Sequence, residues 1–314
     1  MWSRLEQLTS EAARRRRPLA SSEVDELVAL YQRTSAQLAH ARAYFADDGL
    51  EARLTGLVAG ANAAIHGAPK ARGARRAFAQ FFNETFPAAV WMQRRFVLAA
   101  AALMFVPALA MGTWMARSDE ARSVAAPDAA TRAYLDSEFE DYYSSKPAAE
   151  FSTQVLIHNI EVGFLTFALG IVLCVPTALL LVSNGVNVGF AGGLFVHAGE
   201  ADKFFGLILP HGLLELSSIV VAGGAGLALG WALIAPGDRT RAEALADQGR
   251  RSVVIVLGLM LCFTVAGIIE GFVTPADLPT GVRIAVGVAV ETVFLVWVIG
   301  RGRRAVESGH TGTF

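Results

Sequence analysis

The chain has 314 residues, 27 Lys and Arg against 28 Asp and Glu, and a formal net charge of −1. Apolar residues make up 54% and charged residues only 18%, where a soluble globular chain carries about 45–50% and about 25%. The near-zero charge excludes a bulk nucleic-acid binder, two cysteines cannot form a disulfide framework, and the composition is neither collagen-like nor disordered. What remains is an integral membrane protein with a polar region attached.

Residues 1–95 are polar, with 14 Lys and Arg and 9 Asp and Glu. Arginine fills positions 14–17, which reads either as a solvated face or as a contact to anionic lipid, worth about 1 kcal/mol per residue. No apolar region with a cleavage site opens the chain, so no secretory signal peptide is expected. Ser21 or Ser22 can cap a helix to about Ala46, with Glu23, Asp25 and Glu26 in its first turn. Leu27, Leu30, Tyr31, Leu38 and Phe45 give it an apolar stripe, and Asp47-Asp48-Gly49 closes it. A second helix is predicted over 50–66. A third stretch, 74–92, interleaves Phe78, Phe81, Phe82, Phe86 and Trp91 with Arg75 and Arg76. It reads either as a helix in the membrane interface or as one packed on the first two.

Six apolar runs follow, at 96–116, 155–182, 185–198, 211–234, 253–272 and 284–300. About 20 residues are needed to cross hydrocarbon. The third run is short and glycine-rich, and reads as a crossing or a re-entrant hairpin. Ser183-Asn184-Gly185 reads as a turn before it, and Pro210 suits the first turn of the fourth helix. Pro107 and Pro176 lie inside spans and predict kinks. Residues 117–153 carry 4 basic and 8 acidic residues, whereas 236–251 and the tail at 301–314 are arginine-rich. Basic segments face the cytoplasm. Both termini are therefore expected inside, with an outer loop at 117–153, in the inner or plasma membrane. The expected fold class is all-α: a polytopic membrane protein of about six transmembrane helices (96–300) with an N-terminal cytoplasmic helical region (1–95).

Ionisable side chains inside a bilayer cost at least ~2.5 kcal/mol and call for a partner or a use. The candidates are His158, Asn159 and Glu161 in the second span, His211 and Glu215 in the fourth, Glu270 in the fifth and Glu291 in the sixth. The expected topology puts most of them in the outer half, with Glu291 deeper. His211 and Glu215 are four apart, and His158 and Glu161 three apart, so each pair shares a helix face. Three readings compete: a polar cluster holding helices together, a proton, ion or solute pathway, and a divalent-metal site on His211 and Glu215. No His-Glu-x-x-His helix is present, so the metalloprotease signal is absent, and no cofactor is predicted. His197 and Glu200 read as interfacial.

Gly185, Gly189 and Gly193 are spaced by four, as are Ala222, Gly226 and Gly230. Small residues at that spacing let helices approach closely, within the chain or across a homodimer seam. Cys174 and Cys262 read as apolar filling. No phosphate-binding Gly-x-x-x-x-Gly-Lys loop and no Gly-x-Ser-x-Gly elbow occur.

The run Pro210-His211-Gly212-Leu213-Leu214-Glu215-Leu216, followed by the glycine-rich stretch from Ala222 to Gly230, resembles the signature of stage II sporulation protein M-like membrane proteins. So does His158-Asn159-Ile160-Glu161-Val162 with Phe167-Ala168-Leu169-Gly170, although that family usually has Asn-Asn where His158-Asn159 stands here. Asn184-Gly185, Ile269-Glu270-Gly271-Phe272, Leu30-Tyr31-Gln32-Arg33 and Leu38-Ala39-His40-Ala41-Arg42 are similar too. The resemblance covers nearly the whole chain. It implies no enzymatic activity. Sporulation members work with peptidoglycan-degrading partners, and many others look like companions of MoxR-type ATPases.

The leading expectation is a non-enzymatic membrane scaffold or assembly component that recruits partner proteins. The alternatives are a channel or permease-like subunit with a pathway through the His/Glu cluster, and an intramembrane metal-dependent hydrolase. The expected partners are the lipid bilayer, other membrane or membrane-associated proteins and a second copy of the chain, with no nucleic acid.

Overall fold

In hydrocarbon every backbone N–H and C=O must be satisfied within its own segment, which leaves long apolar stretches little choice but the helix. The computed structural model describes residues 1–14, 21–44, 47–66, 74–125 and 148–313, and among these no strand occurs. Arg15, Arg16, Arg17 and Phe45 lie outside the described residues, as does most of the acidic loop.

Two compact units are present, Met1–Ala77 and Phe78–Phe314. In the first, α1 (Trp2–Arg14), α2 (Ser21–Tyr44) and α3 (Asp48–His66) pack mutually. The stripe expected on α2 does face inward: Leu27, Leu30 and Leu38 are buried with Leu5 and Leu8 of α1 and Leu54 and Ala61 of α3. Helix α1 had no counterpart in the sequence reading. Its outer face is held by ion pairing of Arg4 with Glu26 at 2.8 Å, and by a Trp2 Nε1 donation to Gln37 at 2.7 Å.

The second unit begins inside α4 (Ala74–Gln80), continues through a π-helical turn (Phe81–Thr85), and reaches α5 (Phe86–Met92). Residues 78–95, grouped above with the cytoplasmic region, therefore belong to the larger unit. Neither reading of 74–92 describes α5, whose residues from Phe86 to Val90 are buried. Phe86 occupies a notch left by Gly258, and its ring lies 5.4 Å from that of Trp297. Trp297 Nε1 in turn donates to the Phe82 carbonyl at 3.0 Å.

Among the described residues, six helices are long and apolar enough to cross a membrane. They are α6 (Arg94–Arg117), α8 (Ala148–Ala168), α9 (Val175–Ala198), α10 (Ala201–Ile234), α11 (Arg241–Phe272) and α12 (Thr280–Glu307); the short α7 (Asp119–Ala125) follows α6. Helix α10 is central and mostly buried, and it packs on α6, α8, α9, α11 and α12. Helix α11 opens on a capping box, Thr240 with Glu243.

The break between the second and third spans falls elsewhere than expected. A 3₁₀ turn (Leu169–Ile171) ends α8, and Leu173 and Cys174 have φ of 50° and 69°. Helix α9 then starts with Pro176 in its first turn, where a missing N–H costs nothing. Pro176 is thus a helix start and not a kink. Ser183-Asn184-Gly185 runs straight through α9. Asn184 Nδ2 donates to the Leu180 carbonyl of its own helix at 2.9 Å, and Gly185 lets the Met104 carbonyl approach. The third run is therefore part of a 24-residue helix. Pro210 also lies inside a helix, since α10 starts nine residues earlier at Ala201; Gly287 of α12 packs against it.

The small residues are spent on contacts within the chain. Gly185, Gly189 and Gly193 of α9 meet Met104, Ala108 and Met115 of α6. Gly226 of α10 meets the carbonyls of Thr166 and Phe167, and Gly230 meets Gly170 and Cys174. Ala222 is buried in the same face. The homodimer seam considered for these positions is occupied internally.

Candidate functional site

His211 and Glu215 stand one helical turn apart on α10, aimed at the last turn of α11, which carries Glu270. One ligating atom from each of the three lies within 4.8 Å of the others. His211 Nε2 is 3.8 Å from Glu270 Oε1, and both side chains are only 4% exposed, so the pair is sealed from solvent. The other ring nitrogen, Nδ1, lies 3.1 Å from Thr274 Oγ1. That hydroxyl also reaches the Ile269 carbonyl at 3.4 Å, and with its hydrogen turned there its oxygen accepts from Nδ1–H. Asn159 reaches in from α8, its Nδ2 donating to Glu215 Oε1.

Glu291 of α12 forms a neighbouring arrangement, accepting from Ser217 Oγ at 2.7 Å. Two buried acceptors, Glu270 Oε2 and Glu291 Oε2, have no hydrogen-bond partner among the described residues. Three helices thus meet at the His211 group, and a fourth is tied to α10 one turn further on.

The structure brings together Asn159, His211, Glu215 and Glu270, and pairs Glu291 separately with Ser217 of α10. It does not bring in His158 or Glu161, which are exposed on the opposite side of α8. Glu161 also lies near the middle of the candidate span Ser152–Ile171, deeper than expected, because α8 ends at the 3₁₀ turn. His197 is exposed near the α9–α10 turn, and Glu200 Oε2 is 3.8 Å from Lys203 Nζ. Sequence reasoning missed Thr274 as a partner; Ser217 is one of the polar residues of the fourth span, but nothing in the sequence pairs it with Glu291. Thr274 is four residues after Glu270, the spacing of one helix face, but it precedes Pro275, a pairing that signals a helix end. Arg283 donates to the Thr274 carbonyl at 2.7 Å, which fixes that residue from the α12 side.

Three cavities bear on what the molecule can bind. One, of about 570 Å³, is an apolar groove lined by Phe105, Leu109, Gly112, Gly189 and Phe204. A second, of about 260 Å³, is lined by Ile160, Gly163 and Phe164 of α8 and by Val256, Met260 and Phe263 of α11. A third, of about 420 Å³, lies between α1 and α3. None of the three is lined by His211, Glu215 or Glu270.

Six helices able to cross a membrane among the described residues, with a polar cluster between three of them, define an all-α, multi-pass integral membrane protein. Residues 101–275 match the stage II sporulation protein M family, and the chain belongs to it. The match contains α8, the whole of α10 and the residues of the cluster except Glu291. Residues 1–67 match a domain of unknown function, DUF8413. The chain is also similar to an uncharacterized protein of Methanocaldococcus jannaschii, 28% identical over 123 residues that make up 38% of this chain and 69% of that one. No solved structure matches.

Proposed function

We propose that the protein is a non-enzymatic assembly component that holds a partner protein within the membrane, and that the outward face of α8 is where it does so. The observation that carries this reading is the exposure of His158 and Glu161 near the middle of a membrane span. Against lipid, an ionisable group at that depth costs at least ~2.5 kcal/mol, so a polar neighbour is required. Ile157, Phe164 and Leu165 flank the pair and are also exposed, and the groove lined by Ile160, Gly163 and Phe164 adjoins it in sequence. Together they form a stripe at helical spacing with a polar centre. Such a stripe suits a membrane helix that carries a hydrogen-bonding or basic side chain at matching depth. The charged three-helix unit of residues 1–77 offers a second surface for partners, of which a MoxR-type ATPase system is the kind the family resemblance suggests. Under this reading both termini face the cytoplasm, in an inner or plasma membrane, with 236–251 on the same side.

The test is a photo-crosslinking residue placed at Ile157 and, separately, at Phe164 in the full chain in native membranes. A discrete adduct with one different protein, lost when Glu161→Leu is added, is the expected result. Adducts only with lipid, or only with a second copy of this chain, contradict it.

The second reading, a proton or ion pathway, is favoured by one feature: Glu215 and Glu270 meet between two spans, with a third carboxylate, Glu291, bonded to α10 through Ser217. It predicts that Glu215→Gln leaves the fold intact and stops flux in proteoliposomes. The burial of His211 and Glu270 weighs for the assembly reading.

A further inference from the structure

We infer that His211, Glu215 and Glu270 hold a first-row divalent cation of the zinc type, which clamps α10 to α11. The inference stands apart from the assembly reading, since it concerns the sealed face of the bundle and not the outward one.

Geometry comes first. Ligands around a tetrahedral zinc lie 2.0–2.2 Å from the metal, hence about 3.4 Å from one another. The His211 Nε2 to Glu270 Oε1 separation is 3.8 Å, and the whole set lies within 4.8 Å. Small side-chain rotations close that difference. Two ligands come from one face of α10 at a spacing of four, and the third from α11, so a bound ion joins two spans.

The surroundings fit a ligating set. A metal-bound histidine characteristically donates its second ring N–H to an acceptor that fixes the tautomer. Here Nδ1–H meets Thr274 Oγ1 when the hydrogen of that hydroxyl is turned to the Ile269 carbonyl. The lone-pair nitrogen is then Nε2, on the side of the carboxylates. Asn159 orients Glu215 in the same manner.

A separate observation points to a ligand. Glu270 is 3% exposed, and its Oε2 accepts from no fixed donor among the described residues; the carboxyl that it meets is that of Glu215, a second acceptor unless a proton or a cation stands between them. A buried carboxylate oxygen left in this state is strongly unfavourable unless a cation or proton meets it. Two carboxylates and one divalent ion are also jointly neutral, which suits a site removed from water. The mixed nitrogen and oxygen donors favour zinc, manganese or iron over magnesium and calcium, which take oxygen sets, and over copper(I), which takes sulfur.

The experiment uses the full chain, purified from native membranes in mild detergent without chelator. Metal content is measured by mass spectrometry, and the melting temperature is followed through chelation and re-addition of Zn²⁺. We expect about one first-row ion per chain, lost at least tenfold in His211→Ala and Glu270→Gln but retained in Glu161→Gln. Chelation should lower the melting temperature and Zn²⁺ restore it. Where the cluster variants fail to fold, chelation of the native protein decides alone. A monodisperse native protein holding less than about a tenth of an ion, with a melting temperature indifferent to chelator and to added Zn²⁺, Mn²⁺ and Fe²⁺, overturns the inference. So does a folded His211→Ala that keeps its ion.

Discussion

Glu26 and Arg4 show how a single pair shapes the N-terminal unit. Arg4 donates to both carboxylate oxygens of Glu26, at 3.1 Å from Nε and 2.8 Å from Nη2. Hydrogen bonding to Arg4 is the largest influence on Glu26 and holds its carboxyl below the usual range. A carboxyl lowered in the fold contributes stability that is fully present above its unfolded pKa. That contribution is lost as the pH falls through the lower folded value. Amide protection in α1 and α2, taken relative to the intrinsic exchange rate at each pH, is therefore expected to hold from neutral pH to about pH 5 and to decline below about pH 4. Glu26→Gln should remove that part of the pH dependence, and added salt should shrink it, because the pair is exposed. Unchanged exchange profiles in Glu26→Gln would contradict the assignment. The individual polar residues of the cluster were legible in the sequence as ionisable groups in apolar runs. Which of them meet was not. His158 and Glu161 share a helix face, as His211 and Glu215 do, and periodicity alone does not say which face of a helix the bundle covers.

At the scale of the helix, the glycines separate into those that admit a neighbour and those that do not. A Cβ at Gly226 would come within 2.8 Å of the Thr166 and Phe167 carbonyls, which are backbone and cannot rotate away. Gly226→Ala should cost about 1–3 kcal/mol, read as a lowered unfolding midpoint in detergent. Gly300 lies inside α12 with nothing within 4 Å of its Cβ position. Gly300→Ala should instead gain up to about 1 kcal/mol through helix propensity. Equal effects at the two positions would contradict the packing described. The same distinction explains where the helix boundaries were misread. Gly185 was taken for a turn, but it is a close-approach glycine within α9. The true break, at Leu173 and Cys174, uses left-handed backbone at two residues that carry no turn signature. Pro210 and Pro176 exchanged roles for a related reason. Proline is compatible with both a first turn and a packed interior, and only tertiary contact decides between them.

For the whole molecule, composition alone sufficed for the class, because the free energy of placing apolar helices in hydrocarbon outweighs every local preference. Six apolar runs became six helices able to cross, and the match to the stage II sporulation protein M family spans most of them. The grouping of residues 78–95 was not legible. Their aromatic residues are equally suited to an interface or to a protein core, and Gly258 and Gly302, far along the chain, provide the notches that bury Phe86 and receive Pro87. The central claim is that the sealed cluster is internal architecture, while the outward face of α8 serves recognition. It is tested most directly by affinity purification of the full chain from native membranes, wild type beside Glu161→Leu, with mass spectrometry of co-purifying proteins. The account predicts a stoichiometric partner in the wild type that is depleted about tenfold or more in Glu161→Leu, which corresponds to about 1.4 kcal/mol or more of lost association, at unchanged yield and melting temperature. An identical partner profile for the two proteins, with biological activity retained, would contradict it.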